Sequence, residues 1–255
     1  MLSVRVFSAM ALVGLRREHW NLEARLLMSA RRKRCSWECA LAFSMVAVVG
    51  FYLGVVVRPS HIAWLDRLRG RSVYETVFYR RMVASHVRQD AQVAPHAVYL
   101  IGDSHIQGLC SLGLGVNYGI GSDTTDGVVA RIGKYASLTN AAKVFLEIGC
   151  NDKVADGRQL AANILNAVAA LPPVPDIYVC SLLPSSGRHR TGNSVKLDAN
   201  ARLREAAVGR FIFIDLYSKL ADENGALLPC YDSGDGVHLN AAGYAVFRNE
   251  LMKFM

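Results

Sequence analysis

Residues 97–105 read Ala97-Val98-Tyr99-Leu100-Ile101-Gly102-Asp103-Ser104-His105: an apolar run that stops at a glycine and passes directly into polar residues. A short apolar run bounded in this way fits a buried strand, and the stretch His105–Leu112 after it fits a helix. The same alternation repeats to the C-terminus. Strands are expected at Ala97–Ile101, Gly115–Tyr118, Val144–Ile148, Asp176–Ser181 and Phe211–Asp215, and helices at His105–Leu112, Thr125–Ser137, Arg158–Leu171, Ser194–Val208 and Ala241–Phe254. Strands and helices alternating through short connections predict a three-layer α/β/α domain built on a mainly parallel five-stranded sheet. In such open sheets, reacting groups collect in the loops beyond the carboxyl ends of the strands. The polar residues that follow each strand are therefore the candidates for function.

Four such groups stand out. Ser104 follows the first strand and opens a helix, which presents its hydroxyl at the sheet edge beside backbone N–H groups able to stabilise negative charge. Asn117-Tyr118-Gly119-Ile120-Gly121-Ser122-Asp123-Thr124-Thr125 follows the second strand, where a loop can bring further backbone donors near the first. Gly149-Cys150-Asn151-Asp152 follows the third apolar strand, and an Asn amide there can donate to a developing oxyanion. Asp235-Gly236-Val237-His238 precedes the last helix, a spacing that lets one turn present a carboxylate and an imidazole together, as triad chemistry requires. Each motif alone is weak: a serine cap, a glycine-rich turn, an Asn-Asp turn and a chance Asp-x-x-His are all ordinary.

Taken together and in this order, the four resemble the SGNH (GDSL-like) hydrolase superfamily over roughly Ala97 to the C-terminus. The stretch NYGIGSDTTDGVVARI at 117–132 is similar to the platelet-activating-factor acetylhydrolase-like branch, and DGVHLNAAGYAVF at 235–247 is typical of the superfamily. The resemblance implies a flavodoxin-like domain and a serine esterase, with Ser104 as nucleophile, His238 as base and Asp235 as its orienting carboxylate. It further implies an oxyanion hole from the N–H groups of Ser104 and Ser122 and the Asn151 amide, with Asp103, Gly121, Asp123 and Asp152 supporting the site. The residue at the family's oxyanion glycine is Ser122, which is less comfortable than glycine if that position needs a positive φ. Asp232 is the other carboxylate near His238. His105, in a first helical turn, is expected to be exposed. The implied substrate is a carboxylic ester with a small acyl group, on an envelope glycan or a lipid. O-acetyl transfer by the same triad, or binding of an acylated ligand without catalysis, are the alternatives.

No metal or organic cofactor is implied. There is no C-x-x-C pair, and nothing in the spacing of Cys110, Cys150, Cys180 and Cys230 selects a disulfide pairing. The charge is uneven. Residues 1–94 hold 15 Lys/Arg against 6 Asp/Glu, whereas residues 95–255 hold 14 against 15. The basic excess flanks the apolar run Cys39–Val57, so a membrane surface rather than nucleic acid is its expected partner. At about 1.5 Å per residue that run spans roughly 28 Å, close to a bilayer's hydrocarbon core. Arg31, Arg32, Lys33 and Arg34 before it favour an N-terminus inside and the large domain outside the cytoplasm, periplasmic in a Gram-negative cell. The expected organisation is a basic segment at 1–37, a single transmembrane anchor at 38–57, a juxtamembrane stalk at 58–95 and the hydrolase domain at 96–255. The charged loop Ser185–Arg190 is a weaker candidate for contact with an anionic substrate.

Overall fold

The computed structural model describes residues 73–186 and 191–255. The segments expected at 1–37 and 38–57, the first part of 58–95 and the charged loop residues 187–190 lie outside the described residues. Among the described residues, no helix is long and apolar enough to cross a membrane.

The elements run α1 (Val77–Asp90), β1 (Val98–Gly102), α2 (Ser104–Gly108), β2 (Val116–Gly119), α3 (Thr125–Ile132), β3 (Lys143–Glu147), α4 (Gly157–Ala169), β4 (Asp176–Cys180), α5 (Asn193–Ala206), β5 (Ile212–Ile214), α6 (Tyr217–Leu220) and α7 (Ala241–Met252). The five strands are parallel and ordered β2-β1-β3-β4-β5. The chain changes its direction of travel across the sheet between β1 and β3, and the loops leaving such a pair open a crevice at the strands' carboxyl ends. Gly102 stands opposite Glu147 at that end of the pairing. A Cβ on Gly102 would overlap the Glu147 carbonyl oxygen and crowd Ile106, so only glycine lets β1, β3 and α2 meet so closely.

Side chains alternate between two cores, as the pleat dictates. Tyr99, Ile101, Val144, Leu146 and Val179 face α3, α4 and α5, where Val128, Ile132, Leu160, Ile164 and Leu203 meet them. Leu100, Phe145 and Tyr178 face the opposite layer, covered by Ile106, Leu220, Phe247 and Leu251. Truncating the fully buried Phe247 to alanine would remove the main anchor of α7, at a cost of about 3–5 kcal/mol. Side-chain caps fix the helix starts that border the crevice: Thr124 Oγ1 accepts from Gly127 N at 3.2 Å, and Asn240 Oδ1 accepts from Gly243 N at 3.1 Å.

Within the span read as a stalk, residues 77–90 form α1, started by Thr76 Oγ1 accepting from Tyr79 N at 3.1 Å. Its buried residues Tyr79, Val83, His86 and Asp90 recur every three or four positions and form one stripe. Tyr79 and Val83 pack on Ile120, in the loop after β2. The Tyr79 hydroxyl donates to the Gly127 carbonyl at 2.5 Å, and Asp90 accepts from the Tyr118 hydroxyl at 2.8 Å. α1 thus braces the loop after β2 from outside. The helix expected at Thr125–Ser137 is broken: α3 ends at Ile132 before Gly133, and a separate 3-10 turn covers Ala136–Asn140.

Candidate active site

Ser104 is the first residue of α2, directly after β1, and Asp103 caps that helix by accepting from His105 N at 3.0 Å. His238 Nε2 lies 3.0 Å from Ser104 Oγ, across 134 residues of chain. On the far side of the ring, His238 Nδ1 lies 2.5 Å from Asp235 Oδ2. Asp235 Oδ1 also accepts the backbone N–H groups of Val237 at 3.0 Å and His238 at 2.8 Å. Burial works against the Asp235 charge, but the His238 side chain and these two N–H groups outweigh it and hold the carboxyl well below the usual range. The Ser104 hydroxyl, the His238 imidazole and the Asp235 carboxylate therefore form one hydrogen-bonded line. It opens to solvent at its outer end, where the His238 and Asp235 side chains are 44% and 52% exposed.

Among the described residues, no backbone carbonyl accepts from the N–H groups of Ser104 and Ser122. Ser122 has φ 63°, in the left-handed region that glycine tolerates best. The Asn151 amide donates one N–H to the Asp123 carbonyl at 3.1 Å, which fixes its plane and leaves its second donor free to act elsewhere. Gly121 faces the Gln107 side chain. Asp123 does not cap α3, a task left to Thr124; its Oδ2 instead accepts from Arg131 Nε at 2.9 Å, both side chains being fully buried. Asp152 accepts from Thr125 N at 3.0 Å and from the Thr125 hydroxyl at 2.5 Å, tying the loop after β3 to the start of α3. Asp232 is turned to its own loop, accepting from Gly234 N at 2.7 Å, Gly236 N at 3.0 Å and Ser186 Oγ at 3.0 Å, and takes no part in the His238 line.

One expectation is corrected. His105 is not exposed: it is 1% accessible, because the five-residue α2 tucks its first turn beneath the Asp235–His238 loop. His105 Nε2 is 3.1 Å from the Val237 carbonyl. Its Nδ1 is 3.5 Å from Asp103 and 3.6 Å from Glu147. Cys150 Sγ donates to Asp103 Oδ2 at 3.0 Å. Asp103, His105 and Cys150 thus lie within metal-ligand distance of one another, although each already has a partner from the protein. Burial opposes a charged His105, but Glu147 and then Asp103 outweigh it and push the ring up to about 9. Burial and the neighbouring Glu147 push the Asp103 carboxyl up, against the pull of His105. Arg131, unremarked in the sequence, is fully buried and also donates to the Gly102 carbonyl at 3.1 Å and the Tyr135 hydroxyl at 3.2 Å. Cys150, Cys180 and Cys230 are free thiols.

Residues 105–246 match the model of the GDSL-like Lipase/Acylhydrolase family, more than half of the chain. The chain belongs to this family. It is an ester-cleaving enzyme of the GDSL type. Solved structures share its fold. A candidate acylhydrolase from Bacteroides fragilis is 23% identical with a TM-score of 0.57, covering 67% of this chain and 94% of its own. A protein from Streptococcus pneumoniae, described as a candidate platelet activating factor, is 24% identical with a TM-score of 0.58, covering 69% and 91%. A GDSL-like lipase from Bacteroides thetaiotaomicron is 20% identical with a TM-score of 0.57, covering 68% and 96%. No curated protein matches the chain.

Proposed function

We propose that this GDSL-family enzyme is a serine esterase working through Ser104, His238 and Asp235 and a covalent acyl-enzyme. The observation that carries the reading is the continuous line from Asp235 Oδ2 through His238 to Ser104 Oγ, at 2.5 and 3.0 Å. In the first step Ser104 Oγ attacks the ester carbonyl carbon while His238 Nε2 takes the hydroxyl proton. The charge on the former carbonyl oxygen is met by the N–H groups of Ser104 and Ser122 and the free donor of the Asn151 amide. The tetrahedral adduct collapses as His238 returns the proton to the departing alkoxide, leaving an acyl-serine. A water that gives its proton to His238 then attacks that ester, and Ser104 Oγ leaves with the proton. Asp235 keeps Nδ1 protonated and supports the imidazolium in both halves.

The exposed outer end of the line and the absence of a lid among the described residues favour short acyl groups, such as acetyl esters on envelope glycans or lipids. The apolar run Cys39–Val57, behind Arg31–Arg34, would anchor the enzyme in the cytoplasmic membrane with this domain on the extracytoplasmic side. The deciding experiment assays the full chain on p-nitrophenyl esters from C2 to C12 beside Ser104→Ala, with fluorophosphonate labelling of the active serine. Turnover falling with chain length and label on Ser104 are expected. Label on another serine, or an active Ser104→Ala, refutes the assignment. For the anchor, protease added to intact spheroplasts should digest the domain, and full protection there would contradict the orientation.

A further inference from the structure

His105 and Glu147 are buried beside the nucleophile and are not used in the steps above. Glu147 closes β3 on the Phe145 face and is fully inaccessible, yet neither carboxylate oxygen has a hydrogen-bond partner among the described residues. The His105 ring lies beside it, with Oε2 3.6 Å from Nδ1. The ring's protonation follows from its contacts. A carbonyl oxygen only accepts, so Nε2, 3.1 Å from Val237 O, must carry hydrogen. Nδ1 faces Asp103 Oδ1 at 3.5 Å, Glu147 Oε2 at 3.6 Å and Cys150 Sγ at 4.0 Å; the thiol already donates to Asp103 Oδ2 at 3.0 Å, and a bare Nδ1 would direct its lone pair at the two carboxyl groups, so that nitrogen carries hydrogen as well. The ring is an imidazolium. Its counter-charge is the otherwise unpartnered Glu147.

The bond to Val237 gives this buried charge a use. Val237 sits between Asp235 and His238, while His105 is chained directly to Ser104. The His105 side chain therefore bridges the turn that carries the nucleophile to the loop that carries the base, 132 residues away. We propose that His105 is a positioning residue: held as an imidazolium by Glu147, it clamps the Val237 carbonyl and so fixes the Asp235–His238 turn at reacting distance from Ser104. The proposal rests on the Ser104–His238 reading. A loop whose base is 44% exposed needs such a tether, since a misplacement of about 1 Å can cost on the order of a hundredfold in rate.

The informative variant is the double change His105→Phe with Glu147→Leu in the full chain. It removes both charges together, a replacement that buried ion pairs commonly tolerate, and it removes the tether. The fold should survive, with Tm within a few degrees of wild type. kcat for p-nitrophenyl acetate should fall at least tenfold while KM changes less than threefold, because an untethered base slows the chemical step without altering ester binding. If the double variant does not fold, His105→Phe with the isosteric Glu147→Gln serves, because it too removes the Nε2–H that holds Val237, and the same loss in kcat at unchanged KM is expected. Either folded double variant that keeps kcat within threefold of wild type overturns the proposal. So does about one tightly bound divalent metal ion per purified chain, since His105 Nδ1 would then be a ligand and not a protonated donor. Ser104→Ala is measured in parallel: activity in that variant sinks the serine reading itself, whereas an inactive Ser104→Ala beside fully active tether variants sinks only the role of His105.

Discussion

Asp235 grips His238 twice, its Oδ2 lying 2.5 Å from the ring Nδ1 and its Oδ1 accepting the backbone N–H of the same residue at 2.8 Å. One carboxylate thereby sets both the turn and the imidazole's tautomer. Asp235→Asn should keep much of the backbone cap, because an amide oxygen still accepts, but lose the charge that supports the imidazolium. We predict a fall in kcat of roughly 10² to 10⁴, toward the lower end because water can reach this half-exposed pair. Circular dichroism should show an unchanged fold. Turnover within threefold of wild type would remove Asp235 from the triad.

Ser122 occupies a left-handed position, φ 63°, in the loop proposed to supply an oxyanion donor. For an L-residue this conformation costs roughly 1–2 kcal/mol, part of which glycine forfeits through its freer unfolded chain. Ser122→Gly is therefore predicted to raise stability in urea by a few tenths to about 1 kcal/mol. It should also retain turnover, since the backbone N–H remains. Ser122→Val, β-branched in the same conformation, should be destabilised by more than 1 kcal/mol. A Val variant as stable as the Gly variant would contradict the account.

Arg131 ties three elements together from a fully buried position, reaching Asp123 at 2.9 Å, the Gly102 carbonyl at 3.1 Å and the Tyr135 hydroxyl at 3.2 Å. Removing it strands the Asp123 carboxyl without its cation, which in buried pairs costs about 3–5 kcal/mol. Arg131→Met should lose that much in a denaturation experiment. Adding Asp123→Asn to Arg131→Met should recover part of it, because the uncompensated charge has gone. Strictly additive losses would show that the two residues are not energetically coupled.

These residues mark where sequence reading succeeds and where it stops. The five strands were legible because a parallel sheet covered on both faces writes itself as short apolar runs, such as Val98–Ile101 and Val144–Leu146. Ser104, Asn151 and the Asp235–His238 turn were legible because each follows a strand or precedes a helix, where the fold collects polar groups. Arg131 was not, since one arginine on an amphipathic helix looks like a solvated charge until Asp123 and Gly102 are placed beside it. His105 misled for the opposite reason: a first-turn histidine looks exposed, and only the loop returning 132 residues later covers it. Glu147 ends an apolar strand, and no local pattern pairs it with a histidine 42 positions upstream.

Acid should loosen the brace formed by α1. His86 is 5% exposed, its ring tilted against Tyr118 with centroids 5.0 Å apart, and its Nδ1 meets the Tyr135 hydroxyl at 3.5 Å. Burial, and secondarily the Arg131 charge, lower its pKa from the ordinary 6.5 to about 4. Between those values the unfolded chain binds a proton that the folded protein refuses, so stability rises with pH across this window and is fully present above about 6.5. Lowering the pH from 7.5 to 4.5 should therefore cost on the order of 2–3 kcal/mol through this residue alone. His86→Phe keeps an aromatic ring against Tyr118 and has nothing to protonate. Urea denaturation of both proteins at the two pH values should show a wild-type loss exceeding that of His86→Phe by about that amount. Because Tyr79 and Val83 of the same helix pack on Ile120 beside the Ser122 loop, wild-type esterase activity after acid exposure should also fall more than that of the variant. Equal acid losses in the two proteins would mean that His86 is not the group through which acid loosens α1.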